Sequence, residues 1–218
     1  MKALQRIGAG SGEIFLQMAA LEEAEKFAGW LTAAETAQAA RMVNPALRTR
    51  FVVSRGLRRR LLAECTGREA AALDFAEDGV VKPRLLEADG WDFNTSHAGD
   101  HVVVAVRRGP IGVDLEQHRE VRERAGIVRR YFHADEAVAW KRLPKAQQAD
   151  AFFVLWSARE AAMKCAGLGL AKGISVTRVG PEILQGGEAG GASGDMALTV
   201  KILESPDGYT LAVAWADG

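Results

Sequence analysis

The sequence contains little cysteine and no long hydrophobic segment. Cys65 and Cys165 lie in apolar, helix-like stretches, and neither has a second cysteine or a histidine at metal-ligand spacing. We interpret both as small buried hydrophobic residues in a reducing compartment, not as zinc ligands or disulfide partners. No run reaches the eighteen apolar residues of a membrane span, and the N-terminus has no apolar core of a signal peptide. These absences predict a cytoplasmic protein that does not bind membranes.

The chain also has no net charge, because 28 lysines and arginines balance 28 aspartates and glutamates. A protein that attracts nucleic acid over its whole surface is therefore disfavoured, and any basic site must be a local patch. The sequence has neither a G-x-G-x-x-G nor a Walker A pattern, so the common nucleotide-binding folds lack support. Its 218 residues are enough for one large domain or two small ones.

The hydrophobic pattern mixes strands and helices without a regular alternation, which favours an α+β fold. Arg107-Arg108-Gly109-Pro110 is the strongest break, and we place a boundary there between an N-terminal half (1–109) and a C-terminal half (110–218). A capping box at Thr32 and Glu35 starts one helix, and Asp78-Gly79 predicts a hairpin turn. The glycine-rich residues 186–194 predict a mobile loop. The remaining predictions are strands at 13–19, 91–97, 101–106, 111–116, 196–203 and 209–215, and helices at 46–65, 122–131, 135–142 and 147–166.

One predicted strand carries two acidic residues. Side chains alternate across a strand, so Asp114 and Glu116 share one face with Gly112. Two carboxylates so placed repel each other unless a cation lies between them, and hard oxygen ligands suit Mg²⁺. The alternative is the solvated polar face of an edge strand.

A predicted helix carries Trp156, Glu160 and Lys164, spaced four residues apart on one face. Glu160 could complete a three-carboxylate site, and Lys164 could place a positive charge where a phosphate would bind. The alternative is a Glu–Lys pair that merely stabilises an exposed helix by about 0.2–0.5 kcal/mol. The apolar residues 151–156 disfavour an exposed helix.

Taken together, three segments resemble the Sfp-type 4'-phosphopantetheinyl transferases, in the order found in that family. They are Phe93-Asn94-Thr95-Ser96-His97 (F-N-x-S-H), Gly112-Val113-Asp114-Leu115-Glu116 (G-[IV]-D-[IL]-E) and Trp156-Ser157-Ala158-Arg159-Glu160-Ala161-Ala162-Met163-Lys164 (W-[ST]-x-K-E-[AS]-x-x-K). Weaker matches are the arginine-rich helix 50–60, Lys82-Pro83 and residues 131–136. The resemblance covers about residues 30–180.

The resemblance implies an enzyme that transfers 4'-phosphopantetheine from coenzyme A to a serine of an apo acyl or peptidyl carrier protein. It assigns Asp114, Glu116 and Glu160 to Mg²⁺, Glu160 also to the base, and Lys164 to the phosphate and the leaving 3',5'-ADP. The family fold is a pseudo-dimer of two similar α+β halves, with the active site in the cleft between them.

The resemblance also implies which residues hold coenzyme A. Ser96 and His97 match residues of a coenzyme-binding loop, with the histidine near the 3'-phosphate, and Lys82 matches a lysine that contacts the coenzyme. The chain departs from the family at Arg159, where lysine is usual, and at Val81, where glycine usually precedes Lys-Pro. We expect Arg159 to be tolerated, because the role of this position is either to contact a ligand or to support the helix.

The arginine cluster at 48, 50, 55, 58, 59 and 60 has three interpretations. Arg50 and Arg55 are the candidates for binding coenzyme A, and the other arginines are expected to be solvated. Binding of a nucleic-acid backbone is the least favoured interpretation, because the whole chain is neutral. Residues 121–140, which mix arginine with apolar residues, are the expected carrier surface. We expect a monomer, and the alternative function is a non-catalytic module that binds coenzyme A or carrier protein.

Overall fold

The computed structural model describes residues 4–10, 12–76 and 82–217. Within these ranges the chain forms two compact units, one of residues up to 76 with 83–109, the other of Lys82 with 110–217. The predicted turn at Asp78-Gly79 and the departure at Val81 lie outside the described residues. No helix in the described ranges is long and apolar enough to cross a lipid bilayer.

The first unit packs helices against an antiparallel sheet. In the described part of the chain its strands are β1 (Gln5–Ala9), β2 (Gly12–Ala20), β3 (Phe75–Ala76), β4 (Arg84–Leu85), β5 (Trp91–Ala98) and β6 (His101–Arg108), and its helices are α1 (Glu25–Ala28), α2 (Ala33–Arg41) and α3 (Pro45–Thr66). The main sheet has the order β1-β2-β6-β5, and β3 pairs with β4. β6 is internal and its residues 102–106 are fully buried, as its apolar and largely β-branched sequence predicts.

Helix α3 is the central helix of the first unit. The Asn44 side chain accepts hydrogen bonds from the backbone N–H groups of Ala46 and Leu47, and Pro45 occupies the first helical position. Gly67 ends the helix with a φ of +70°, a left-handed conformation that glycine adopts without strain. Between these ends the apolar residues of α3 pack on the buried valines of β6. Both predicted ends of this helix are confirmed.

The second unit places its helices on a separate antiparallel sheet. Its strands are β7 (Ile111–Gln117), β8 (Thr177–Val179), β9 (Glu188–Ser193), β10 (Met196–Leu203) and β11 (Tyr209–Trp215), and its helices are α4 (Arg124–Tyr131), α5 (Ala134–Arg142), α6 (Gln148–Cys165) and α7 (Leu170–Gly173). The strand order is β7-β11-β10-β9-β8. The predicted helices and the hairpin of β10 and β11 are confirmed, with helix ends differing by up to two residues.

The predicted mobile loop at 186–194 is wrong. Residues 188–193 form β9, an internal strand that pairs with β10 on one side and with β8 on the other. Glycine composition indicates flexibility only while the backbone hydrogen-bonding groups lack partners, and here two neighbouring strands supply them. Gly191 also allows close packing, because a Cβ there would lie 2.8 Å from the carbonyl oxygen of Arg178.

Candidate active site

The acidic face of β7 is covered by helix α6. Gly112, Asp114 and Glu116 lie opposite Ala214, Ala212 and Thr210 of β11, so small residues line much of this face. A Cβ on Gly112 would lie closer than 3.0 Å to the backbone of Ala161 and Cys165, so the helix backbone rests directly on the strand. Although β7 is the edge strand of the described sheet, Asp114 is only 4% exposed, and the alternative of a solvated polar face is therefore wrong.

Helix α6 directs its predicted functional residues toward this strand. The Lys164 ammonium donates to Asp114 Oδ1 at 2.6 Å and to the Val113 carbonyl oxygen at 3.3 Å. One end of the same helix face carries Trp156, whose indole Nε1 donates to Glu116 Oε1 at 3.1 Å. The helix face at 156, 160 and 164 therefore lies against the acidic strand, and Lys164 does more than pair with Glu160 at an exposed surface.

The carboxylates of this cluster influence one another. Burial raises the pKa of Glu116, the charge of Asp114 raises it further, and the Trp156 hydrogen bond opposes the rise. Burial likewise raises the pKa of Glu160, where the Asp114 and Glu116 charges add to the effect and Lys164 opposes it. Because burial and neighbouring acidic groups raise the pKa values of both Glu116 and Glu160, a cation at this site would stabilise their charged forms.

The cluster fits a divalent cation by its chemistry. Among the described residues, no group of three or more histidine, cysteine, aspartate or glutamate side chains is already spaced to hold a metal ion. The Lys164 ammonium instead supplies the counter-charge to Asp114. Carboxylate oxygens are the ligands that Mg²⁺ prefers, and their mutual repulsion is the electrostatic condition that such an ion relieves.

The first unit contains a separate cationic pocket of about 520 Å³ between α3 and β5. Its α3 wall combines positive charge with an aromatic ring, because the Arg55 guanidinium lies 5.3 Å from the Phe51 ring centroid. Such a wall suits a ligand that carries both phosphates and a flat heteroaromatic ring. The pocket is lined by Met42, Leu47, Arg50, Phe51, Ser54, Arg55, Arg58, Pro83, Phe93, Asn94, Thr95 and His97.

The candidate residues for coenzyme binding have different surroundings. Arg50, Arg55 and His97 line this pocket, whereas buried Ser96 is not among its lining residues. The resemblance implied a loop for Ser96 and His97, but both lie within strand β5. Lys82 belongs to the second unit, where its ammonium donates to the carbonyl oxygen of Ile111 at 2.6 Å.

The expectation of solvated arginines is wrong for two members of the cluster. Arg58 and Arg59 are 4% and 5% exposed. Arg59 Nε donates to Glu35 at 2.7 Å, and its Nη1 donates to the carbonyl oxygens of Ala70 and Leu73. Arg58 lies 3.7 Å from the Phe75 ring centroid. Desolvated arginines are tolerated here because acidic, carbonyl and aromatic partners replace water.

One residue of the first unit's pocket and one residue of the second unit's acidic cluster were not recognised as functional candidates from the sequence. Arg58 lines the pocket, and its spacing from Phe51, Ser54 and Arg55 on helix α3 is the periodic signal that could have revealed it. Trp156 was interpreted as packing, and it does stack on Phe152 at 6.0 Å, but its hydrogen bond to Glu116 has no sequence signal.

Comparisons with known proteins match both units of the chain. The family model "4'-phosphopantetheinyl transferase superfamily" matches residues 110–214, and "4'-phosphopantetheinyl transferase, N-terminal" matches residues 19–108. Because one model matches each half and each half mixes helices with strands, the predicted two-half α+β fold is confirmed.

Individual relatives agree with the family models. The 4'-phosphopantetheinyl transferase HetI of Nostoc sp. is 32% identical over 74% of this chain and 72% of its own length. The transferase psf-1 of Bacillus pumilus is 38% identical over 46% of this chain, and the match spans only 42% of that relative. The transferase Sfp of Bacillus subtilis is 26% identical over 68% of this chain and 66% of its own length. The chain therefore belongs to the Sfp-type 4'-phosphopantetheinyl transferase family.

Proposed function

We propose that this protein transfers the 4'-phosphopantetheine group of coenzyme A to a serine hydroxyl of an apo carrier protein and releases 3',5'-ADP. The observation that carries the proposal is the cluster of buried Asp114 with the half-buried Glu116 and Glu160, beside which Lys164 pairs with Asp114. Family membership supports this type of transfer for such a cluster.

Glu160 is the proposed base. The serine oxygen attacks the phosphorus next to the pantetheine arm, its proton passes to the Glu160 carboxylate directly or through water, and the bond to the 3',5'-ADP oxygen breaks. A carboxylate whose pKa is raised by burial holds a proton more readily at neutral pH than an ordinary glutamate does. This property suits a group that must accept the hydroxyl proton during the transfer.

Lys164 is the proposed phosphate-binding residue. The Lys164 side chain is 28% exposed, and its ammonium already pairs with Asp114, so the side chain is held in place while part of it still faces solvent. In the reaction it stabilises the negative charge that develops on the leaving 3',5'-ADP.

Asp114, Glu116 and Glu160 are the residues that would hold Mg²⁺. When bound, the ion neutralises the pyrophosphate of coenzyme A and the charge that develops on it. The Trp156 hydrogen bond to Glu116 Oε1 limits the rotation of that carboxylate and so prepares it as a ligand.

The pocket of the first unit is the proposed binding site for coenzyme A. Arg50, Arg55 and His97 supply charge and hydrogen bonds for phosphates, and the apolar part of the wall suits a flat ring. Ser96 and Lys82 are proposed as further contacts on the strength of the family motifs, although neither lines this pocket.

The finer assignments form part of the same proposal. They comprise a holo-acyl-carrier-protein synthase activity, a peptidyl carrier as a further substrate, a monomeric protein, and halves divided at 109 and 110. A cytoplasmic location is compatible with Cys65 and Cys165, which are both free thiols.

The proposal is tested by intact-mass spectrometry of an apo acyl or peptidyl carrier after incubation with this protein, coenzyme A and Mg²⁺. We expect the carrier to gain one phosphopantetheine mass, and we expect EDTA to abolish the gain. A carrier whose acceptor serine is replaced by alanine should gain nothing. If coenzyme A binds but no carrier is modified, the protein is instead a non-catalytic binding module.

A variant pair tests the catalytic assignment. Glu160→Gln keeps the size of the side chain but removes the base and one metal ligand, so transfer should be lost while the protein stays folded. Glu204→Gln makes the same substitution at an exposed position of the second unit and should leave transfer unchanged. Full activity of Glu160→Gln with Mg²⁺ present would contradict the assignment.

A further inference from the structure

Arg159 makes a buried network of hydrogen bonds on helix α6, next to the proposed base. Arg159 is 2% exposed, and its Nη1 donates to both carboxylate oxygens of Glu136, at 3.1 and 2.8 Å. The same nitrogen donates to the Thr177 carbonyl oxygen at 2.6 Å, and Nη2 donates to the carbonyl oxygens of Tyr131 and Ile174. One guanidinium thus joins α6 to the end of α4, to α5, to the residue after α7 and to β8.

Both carboxylate oxygens of Glu136 accept several hydrogen bonds in the same network. Glu136 is fully buried, its Oε1 accepts the backbone N–H of Val179 at 2.7 Å, and its Oε2 accepts that of His133 at 2.9 Å. The latter bond closes the capping box that starts α5. Because two charges and several backbone groups satisfy one another out of water, small displacements of α6 would break several bonds together.

Two constraints therefore act on helix α6 from different directions. The Arg159 network ties it to the surrounding helices and to β8, and Gly112 sets its closest approach to β7. Glu160 follows Arg159 directly in the chain. By fixing the rotation of α6 about its axis at Arg159, the network therefore also fixes the direction in which the Glu160 side chain points. Successive side chains on a helix point about 100° apart, so Arg159 itself is directed away from Glu160.

We propose that Arg159, through its pair with Glu136, is a positioning residue that sets the place of Glu160 relative to Asp114 and Glu116. This inference rests on the proposed function, because it concerns the same carboxylates. The guanidinium acts through the helix and does not contact the reactants. A lysine ammonium has three donors at one nitrogen and cannot serve five acceptor atoms, so lysine should replace Arg159 only in part.

The test uses a variant in which both charges are removed together. Arg159→Met with Glu136→Gln leaves no lone buried charge, and glutamine retains a carbonyl oxygen for the start of α5. Binding of Mn²⁺ alone, measured by electron paramagnetic resonance, reports the carboxylate geometry independently of turnover. We expect the double variant to bind Mn²⁺ about 10- to 100-fold more weakly and to lose kcat to a similar extent. The KM for coenzyme A should stay near its original value.

A stability-matched control separates positioning from general destabilisation. Leu198→Ala removes a buried side chain of β10 and lowers the melting temperature without touching the network. At temperatures where all variants are folded, this control should keep the Mn²⁺ affinity and the kcat of the unaltered protein. Arg159→Lys should fall between the unaltered protein and the double variant in both quantities.

The outcomes distinguish this inference from the proposed function. If the unaltered protein neither binds Mn²⁺ nor modifies a carrier, the proposed function fails and the inference fails with it. If the unaltered protein does both and the folded double variant matches it, only the positioning role is overturned. Should the double variant not fold, Arg159→Lys decides, and Mn²⁺ affinity and kcat equal to those of the unaltered protein would overturn the role.

Discussion

Gly112→Ala tests whether catalysis depends on the close approach of α6 to β7. The added Cβ would lie closer than 3.0 Å to backbone atoms of Ala161 and Cys165, and ordinary contact requires 3.4–4 Å. Backbone atoms cannot rotate away, so the helix must move outward by about 1 Å, taking Glu160 and Lys164 away from the acidic strand. Overpacking of this kind costs about 1–3 kcal/mol of stability.

The expected result is a folded protein with a specific loss of catalysis. A displacement of about 1 Å lowers kcat by about 100-fold, whereas the melting temperature falls by only about 2–12 °C. Initial rates from intact-mass spectrometry of the carrier measure the first quantity, and calorimetry measures the second. Binding of coenzyme A should persist, because the proposed pocket contains no residue of β7 or α6.

Gly190→Ala is the matched control for this prediction. Gly190 lies on β9 of the same sheet, and a Cβ there would have nothing within 4 Å. This variant should keep its catalytic rate and its melting temperature. If Gly112→Ala proves as active as Gly190→Ala, the helix–strand distance does not control the reaction and the reasoning is refuted.

Three further predictions concern stability, metal affinity and coenzyme affinity. Burial alone would raise the pKa of Glu35, but the hydrogen bond from Arg59 and the bond from the backbone N–H of Thr32 lower this pKa overall. A carboxyl with a lowered pKa contributes stability above its ordinary pKa and loses that contribution as the pH falls. Glu35→Gln should therefore lower the free energy of unfolding by about 2 kcal/mol at neutral pH, and this loss should shrink as the solution becomes acidic. Denaturation curves that give the same loss at every pH would contradict this prediction. Trp156→Phe should keep the aromatic stacking but weaken Mn²⁺ binding about tenfold, because Glu116 loses its indole donor; an unchanged affinity would show that the indole does not orient the carboxylate. Arg55→Gln should weaken coenzyme A binding about tenfold in calorimetry. Arg48→Gln, at an exposed position of the same helix outside the pocket lining, should leave this affinity unchanged. Equal losses of affinity in the two variants would show that the overall positive charge of the helix, and not a contact from Arg55, attracts the coenzyme.

Local rules predicted most of the elements correctly. The capping box at Thr32, the start of α3 at Asn44-Pro45 and its end at Gly67 follow from hydrogen bonds and backbone conformations within a few residues. The alternation that places Asp114 beside Glu116 is equally local. These features could be predicted because neighbouring residues alone determine their energies.

Pairing between distant segments could not be predicted in the same way. Within the glycine-rich stretch 186–194, residues 188–193 became an internal strand because β8 and β10 supply hydrogen bonds on both sides. Arg58 and Arg59 became buried because Phe75, Glu35 and two carbonyl oxygens replace their water. Composition does not reveal such partners, since they are separated by many residues along the chain.

By itself the sequence determined the candidate carboxylates, the lysine and their order, because motif spacing fixes which side chains share a strand face or a helix face. Only the tertiary structure decided that α6 rests on Gly112, that Lys164 pairs with Asp114, and that Arg159 joins α6 to Glu136. The reason is physical. The spacing of residues in the sequence determines which side chains point the same way from one helix or strand, whereas the distances between helices and strands depend on how closely their backbones pack.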